Sequence, residues 1–342
     1  MAISWFNIFF IIIIITYFLK YVITNKAYLN FMSMLSAFIL VVSLLPVLRA
    51  NNSFAALKQY INLAVSFLLL IIGNSFKREV TQPQLDILKF DYIISTIITA
   101  IGIIIQIIFV QILKIEVGNY KFFGGYRHAY GYLFADYSFL SLYLVSGAMM
   151  LYFYDKNIKK IRLIYVVFLL ITSILTSART GIVSFIVIFI IWSILNVLNL
   201  LMKKSPKGFT IIVGDIILFS VSYLLVSKTR NIHMFSDSGR RKLNSKAFNI
   251  FLENPYLGIG FGTTNYKGML PHNLFFQSLS QGGLVYTIPL LIFLVVLLWE
   301  AYKKDISMLP VLAVVLFGSL FIPNIFNSRF FPVLMMLLSM AI

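Results

Sequence analysis

Apolar runs of about 17 to 25 residues recur along this chain, each the length of a helix that crosses a hydrocarbon core. The first, around FFIIIIITYFL, shows the type. Strands of a membrane barrel would be shorter and would alternate apolar with polar residues; these runs do not. A lipid-exposed chain of this kind must satisfy its backbone within each segment, which leaves helices. The predicted fold is therefore all-α, a polytopic transmembrane helical bundle. Spans are predicted near 3–19, 28–48, 59–76, 92–113, 131–154, 162–177, 180–202, 209–227, 273–299, 309–327 and 329–342, ten or eleven in all. The N-terminal run lacks a basic leader and a small-residue cleavage site, so it reads as a span and not as a cleaved signal. Residues 1–342 read as one membrane domain.

The net charge of +17 does not mark a nucleic-acid binder. Lys and Arg fall in short clusters between spans, as membrane topology requires, and form no basic patch on a polar surface. One set of alternate loops holds Lys20, Lys26, Lys77, Arg78, Lys89, Lys156, Lys159, Lys160, Arg162, Lys203, Lys204, Lys207, Lys303 and Lys304. The other short loops hold only Arg49, Lys58, Lys114, Lys121, Arg127, Arg179 and Arg329. The richer set is assigned to the cytoplasm of a multi-pass protein of the cytoplasmic membrane. The N-terminus and the long loop 228–272 then lie outside. The chain has no cysteine, which removes disulfides and thiolate metal sites. Its histidines, His128, His233 and His272, have no helix-face spacing, so no metal site and no cofactor is predicted.

The long loop interrupts the apolar pattern with about twenty residues of another character, ENPYLGIGFGTTNYKGMLPHN at 253–273. Ahead of it, Leu243, Ala247, Ile250 and Phe251 fall on one face of an amphipathic helix. Ser236, Asp237 or Ser238 can cap its start, and Asn254-Pro255 ends it. Arg240 and Arg241 stand in the first turn, where free N–H groups, the helix dipole and two guanidinium forks suit a phosphate or diphosphate. The same residues also suit a surface helix held by anionic lipid headgroups. GIGFG at 258–262, with Gly258 and Gly260, resembles half of a dinucleotide fingerprint, but no strand precedes it and no helix opens directly after it. A tight, close-packed chain reversal accounts for it better. Asn273 can cap the next span. His272, just before it, can serve as a general base near neutral pH, or bond a loop carbonyl as an interfacial histidine.

Two other places concentrate polar chemistry. In LTSARTGIVSF, Arg179 lies between two apolar runs with almost no loop around it. It either snorkels to the outer interface or faces a water-filled cavity and binds an anion; its flanking Ser177 and Thr180 favour the cavity. In YRHAYGYLFADY, Arg127 and His128 stand at the outer mouth of the fifth span and Asp136 falls inside it, where an acid pairs with an arginine or orients a sugar hydroxyl. Asp215 in the eighth span either is similar or lies toward that span's cytoplasmic end.

Taken in order, YRHAYGYLFADY, TSARTG, GRRKLNSKAFNIFLENPYLGIGFG and PHNLFFQSLSQGGLVY resemble the O-antigen ligase and polymerase family of bacterial membrane glycosyltransferases (the Wzy type). Ala135-Asp136 stands where that family commonly has Pro-Asn. The resemblance implies a bundle like that of the C-type glycosyltransferases, with one long external loop and no metal. It implies a polyprenyl-diphosphate-linked oligosaccharide as both donor and acceptor, used among membrane lipids at the outer face, with a flippase and a chain-length regulator as protein partners. His272, Arg179 and Arg240 are then the catalytic candidates. Arg127, Arg241, Asp136, Glu253, Gly258, Gly260 and Asn273 are candidates for substrate binding, with Glu253 also a second candidate base. A repeat-unit polymerase is the first reading, and a ligase that moves finished glycan to a lipid or protein acceptor is the alternative. A flippase is the third reading; it predicts related halves and short outer loops, and the chain shows no internal repeat.

Overall fold

The computed structural model describes residues 5–24, 30–123, 127–154, 160–202, 240–262 and 270–342. The predicted eighth span, Asp215, and the proposed caps at 236–238 lie outside these. The described chain is almost entirely helical. In order it forms α1 (Trp5–Thr24), α2 (Phe31–Val42), α3 (Leu44–Leu48), α4 (Ser53–Phe76), α5 (Gln82–Gln111), strands β1 (Tyr120–Phe123) and β2 (Arg127–Tyr130), α6 (Tyr137–Phe153), α7 (Lys160–Leu175) and α8 (Thr180–Met202). After the undescribed stretch come α9 (Arg240–Glu253), α10 (Leu274–Lys304), α11 (Met308–Ser319), a 3₁₀ turn (Ile325–Asn327) and α12 (Phe330–Ala341).

Four stretches among the described residues are long and apolar enough to cross a membrane: Phe31–Leu48, Ser53–Phe76, Gln82–Gln111 and Leu274–Lys304. Shorter apolar helices occupy most of the other predicted spans. The protein is thus an integral membrane protein built as a polytopic helical bundle. Helix starts follow local chemistry where hydropathy misses them. α4 begins at Ser53 because the Asn52 side chain accepts the Ala55 N–H at 3.0 Å, several residues ahead of the apolar run. α5 begins at Gln82 because Asp86, Lys89 and Asp91 continue the helix beyond the greasy stretch. The fifth span starts late, at Tyr137, because Tyr120–Phe123 and Arg127–Tyr130 ahead of it pair antiparallel, with Tyr120 opposite Tyr130 and Phe122 opposite His128.

The chain divides into two compact units. The first comprises residues 1–89, 239–306 and 323–342. Its core joins α4 to α12 and α10: the Phe67 ring meets Phe293 edge-on at 4.8 Å and stacks on Phe326 at 5.6 Å. Gly73 of α4 lets α12 approach so closely that a Cβ there would strike Ser339 and the Met336 carbonyl. The second comprises residues 90–238 and 307–322. There α6, buried along nearly its whole length, is surrounded by α7, α8 and α11.

Candidate active site

In the first unit, the loop motif and the span that follows it form one device. α10 is not a continuous helix. At Gly283 the backbone turns to φ 62° and ψ −166°, a conformation a side chain strongly disfavours. The break frees carbonyls on one side and N–H groups on the other, and these would be costly inside a membrane. The segment after α9 meets them. Ile259 and Gly260 donate their N–H groups to the carbonyls of Ser280 and Gln281, both at 2.9 Å. Leu284 and Val285 donate to the carbonyls of Pro255 and Tyr256 at 2.8 and 3.1 Å. Gly258, at φ 64°, has no room for a Cβ, which would lie 2.4 Å from the Gln281 carbonyl carbon. GIGFG is thus a chain inserted into a broken helix, the close-packed reversal predicted for it. The N–H groups of Gly258 and Gly260 are both used internally, on the carbonyls of Asn254 and Gln281.

A row of amides, from half-buried Gln59 to buried Gln277 and Gln281, continues from this insertion. The Gly262 N–H donates to Gln59 Oε1 at 2.9 Å, and Gln59 Nε2 donates to Gln281 Oε1 at 2.8 Å. Gln277 Nε2 donates to the same oxygen at 3.1 Å. Because the main-chain donor fixes the orientation of Gln59, it fixes the other two in turn, so the free end of the row is an acceptor, Gln277 Oε1. That oxygen has no partner among the described residues. Sequence reasoning missed this row, although Gln277 and Gln281, four apart inside an apolar run, were a visible signal.

The predicted residues of this unit stand around the same two helices. Arg240 and Arg241 open α9, whose buried Leu243 and Ala247 lie on the predicted apolar face. α9 packs against α10, with the Phe248 ring meeting Phe276 of its first turn at 6.3 Å. Glu253 is the exposed last residue of α9, and the helix stops at Asn254-Pro255 as predicted. The Asn254 side chain accepts from the Arg49 guanidinium at 3.2 Å. Asn273 caps α10, accepting the Phe276 N–H at 3.1 Å, and half-buried His272 immediately precedes it.

In the second unit, Arg179 sits in a turn that is held rigidly. Ser141 of α6 shares a hydroxyl hydrogen bond with Ser173 of α7 at 2.7 Å and accepts the N–H of Gly181, in the first turn of α8, at 3.1 Å. Gly181 packs directly on Ser141, where a Cβ would fall 2.3 Å from the hydroxyl oxygen. Ser177 takes a left-handed φ of 65°, and the Ala178 N–H donates to the Thr176 hydroxyl. Half-buried Arg179 caps α8 through its carbonyl, which accepts the Val183 N–H at 2.9 Å. Beside it Thr180 is 3% exposed, and its hydroxyl has no hydrogen-bond partner among the described residues.

Arg127 and Asp136 also belong to the second unit. Arg127 lies over the Phe123 ring, 4.7 Å from its centre. Asp136 differs from its predicted place. It stands at the start of α6 and not within it, because its Oδ1 accepts the Ser138 and Phe139 N–H groups at 2.6 and 3.3 Å and so begins the helix. This leaves Oδ2 for other contacts. Among the described residues no group of His, Cys, Asp and Glu could hold a metal ion.

No curated protein matches the chain. A family model described as O-antigen ligase matches residues 164–290. The matched stretch runs from α7 through the Arg179 turn and the α9 helix to the broken part of α10. The chain is therefore an integral membrane protein whose residues 164–290 are similar to the O-antigen ligase family, the family its motifs resemble.

Proposed function

We propose that this membrane glycan-handling enzyme is a polysaccharide polymerase. It joins polyprenyl-diphosphate-linked oligosaccharide repeats at the outer face of the cytoplasmic membrane, without a metal. An acceptor sugar hydroxyl attacks the anomeric carbon of the donor glycan. The bond from that carbon to the diphosphate oxygen breaks, the hydroxyl proton passes to His272, and the polyprenyl diphosphate leaves with the bonding pair. Negative charge grows on the leaving group, and Arg179 and Arg240 stabilise it, assisted by Arg127 and Arg241. One such preorganised donor is typically worth ~10²–10³ in rate. Glu253 is the second candidate for the base. Asp136, through Oδ2, and Asn273 orient sugar hydroxyls, while Gly258 and Gly260 give the loop its shape.

The observation that carries this reading is the family match, which contains Arg179, Arg240 and His272 in one stretch. The buried Thr180 hydroxyl, beside Arg179 at the start of a helix and without a partner among the described residues, adds a donor suited to an anion. The description of the family model favours one second reading, transfer of a finished glycan to a lipid or protein acceptor. The glycan profile of cells lacking the protein separates the two. Accumulation of a single lipid-linked repeat supports the polymerase. Full-length polymer that stays unattached overturns it in favour of the ligase.

A further inference from the structure

The hairpin β1–β2 has two chemically distinct faces. One carries Lys121 and Arg127, the latter over Phe123. The other carries Tyr120, Phe122, His128 and Tyr130, a row of near-parallel rings. His128 lies 4.6 Å from Phe122, 5.9 Å from Tyr120 and 6.2 Å from Tyr130, centre to centre, with interplanar angles of 33°, 22° and 13°. The row is held from below by α5. Gln111 places its amide nitrogen 2.6 Å from the Tyr130 hydroxyl and 3.0 Å from His128 Nδ1, and the Tyr120 hydroxyl lies 2.7 Å from the same Nδ1. Buried Gln106 fixes the hairpin to α5, donating to the Val117 carbonyl and accepting the Tyr132 N–H. The row is therefore rigid, yet Phe122 is 51% exposed and His128 is exposed, with Nε2 making no hydrogen bond among the described residues.

We propose that this aromatic–imidazole face is a glycan subsite, binding a neutral pyranose of the lipid-linked substrate. The ring faces carry negative π density and pack against the weakly positive C–H face of a sugar. His128 Nε2 and the tyrosine hydroxyls at the rim meet the sugar's own hydroxyls. Burial, with smaller contributions from neighbouring Tyr130 and Glu116, raises the Tyr120 phenol pKa, keeping it in the neutral form that can donate. The division of charge favours a sugar over a lipid headgroup here: the cations Lys121 and Arg127 lie on the opposite face. The inference rests on the glycan reading of the substrate, but not on polymerase over ligase.

The test uses the full chain in nanodiscs, with mild-acid fragments of the host's own surface polysaccharide as probe and saturation-transfer NMR as readout. The wild type is expected to transfer saturation to sugar C–H protons. Phe122→Leu keeps the residue apolar but removes the ring, and should weaken binding about two- to tenfold. Phe122→Trp should restore it. Equal binding by Phe122→Leu and wild type marks the face as a lipid contact and overturns the subsite while leaving the glycan reading intact. Absence of transfer in the wild type overturns the subsite. In that case the glycan profile of cells lacking the protein shows whether the broader reading fails with it.

Discussion

Gly283 of α10 and Tyr256 of the preceding loop share a space with no room for one more carbon: a Cβ on Gly283 would lie 2.3 Å from the Tyr256 carbonyl oxygen. The same glycine holds a left-handed φ of 62°. Gly283→Ala should therefore lose at least ~1–2 kcal/mol of stability from backbone strain alone, and more from the displaced loop. Thermal unfolding in detergent should show a lower Tm, and proteolysis should be faster within 254–262. An unchanged Tm would argue that the inserted chain is not packed as described.

Arg179→Ala, Arg240→Ala and His272→Ala should each abolish long glycan chains while leaving the protein in the membrane. The rate loss for each arginine should be on the order of 10²–10³. Gel profiles of cell-surface glycan, read beside immunoblots of the membrane fraction, make the comparison. Unchanged chain length in all three would sink the assignment of these residues.

Ser141 supplies the acceptor for the Gly181 N–H, and Ser173 does not. Ser141→Ala leaves that buried donor unmet, at a cost of about 1–3 kcal/mol. Ser173→Ala removes only the neighbouring hydroxyl and should cost less. The two Tm values, measured side by side, check the order. If the turn positions Arg179 for catalysis, Ser141→Ala should also shorten the polymer more than Ser173→Ala does.

Lys89 and Asp305 form an ion pair at 2.6 Å in which the side chains are only 9% and 18% exposed. Breaking a pair so enclosed from one side costs up to about 3–5 kcal/mol. Lys89→Met should destabilise strongly, and adding Asp305→Asn should cost little more. A double-mutant cycle of Tm or denaturant midpoints measures the coupling; additive losses would show that the pair is not coupled.

Lys77, at the end of α4, has its pKa lowered by burial first and by Lys304 second, with Glu300 opposing. The folded ammonium is thus disfavoured relative to the unfolded chain, which binds the proton more readily between the lowered value and 10.5. Stability should rise with pH through that window as the folded group sheds its charge first. Lys77→Gln should flatten the rise in a pH series of Tm values.

Much of this arrangement was legible in the sequence because it is local. The face of α9 followed from Leu243 and Ala247, the stop at Asn254-Pro255 from proline's effect on its neighbour, and the cap at Asn273 from its place before an apolar run. The hairpin was not predicted, although Tyr120, Phe122, His128 and Tyr130 alternate around a Gly-Gly pair. Flanking apolar runs outweigh so short a signal in a hydropathy reading. The break at Gly283 was hidden for a different reason. QGG sits inside a long apolar run, and only the distant segment 255–260 makes a non-helical backbone affordable there.

That shared ladder fixes spacing as well as shape. Donors and acceptors of 255–260 are matched to those of 280–285 on both sides of the break. An insertion or deletion of a single residue between Pro255 and Gly260 would put one pair of bonds out of register with the other. The number of residues in this stretch should therefore stay constant among related proteins even where the side chains vary.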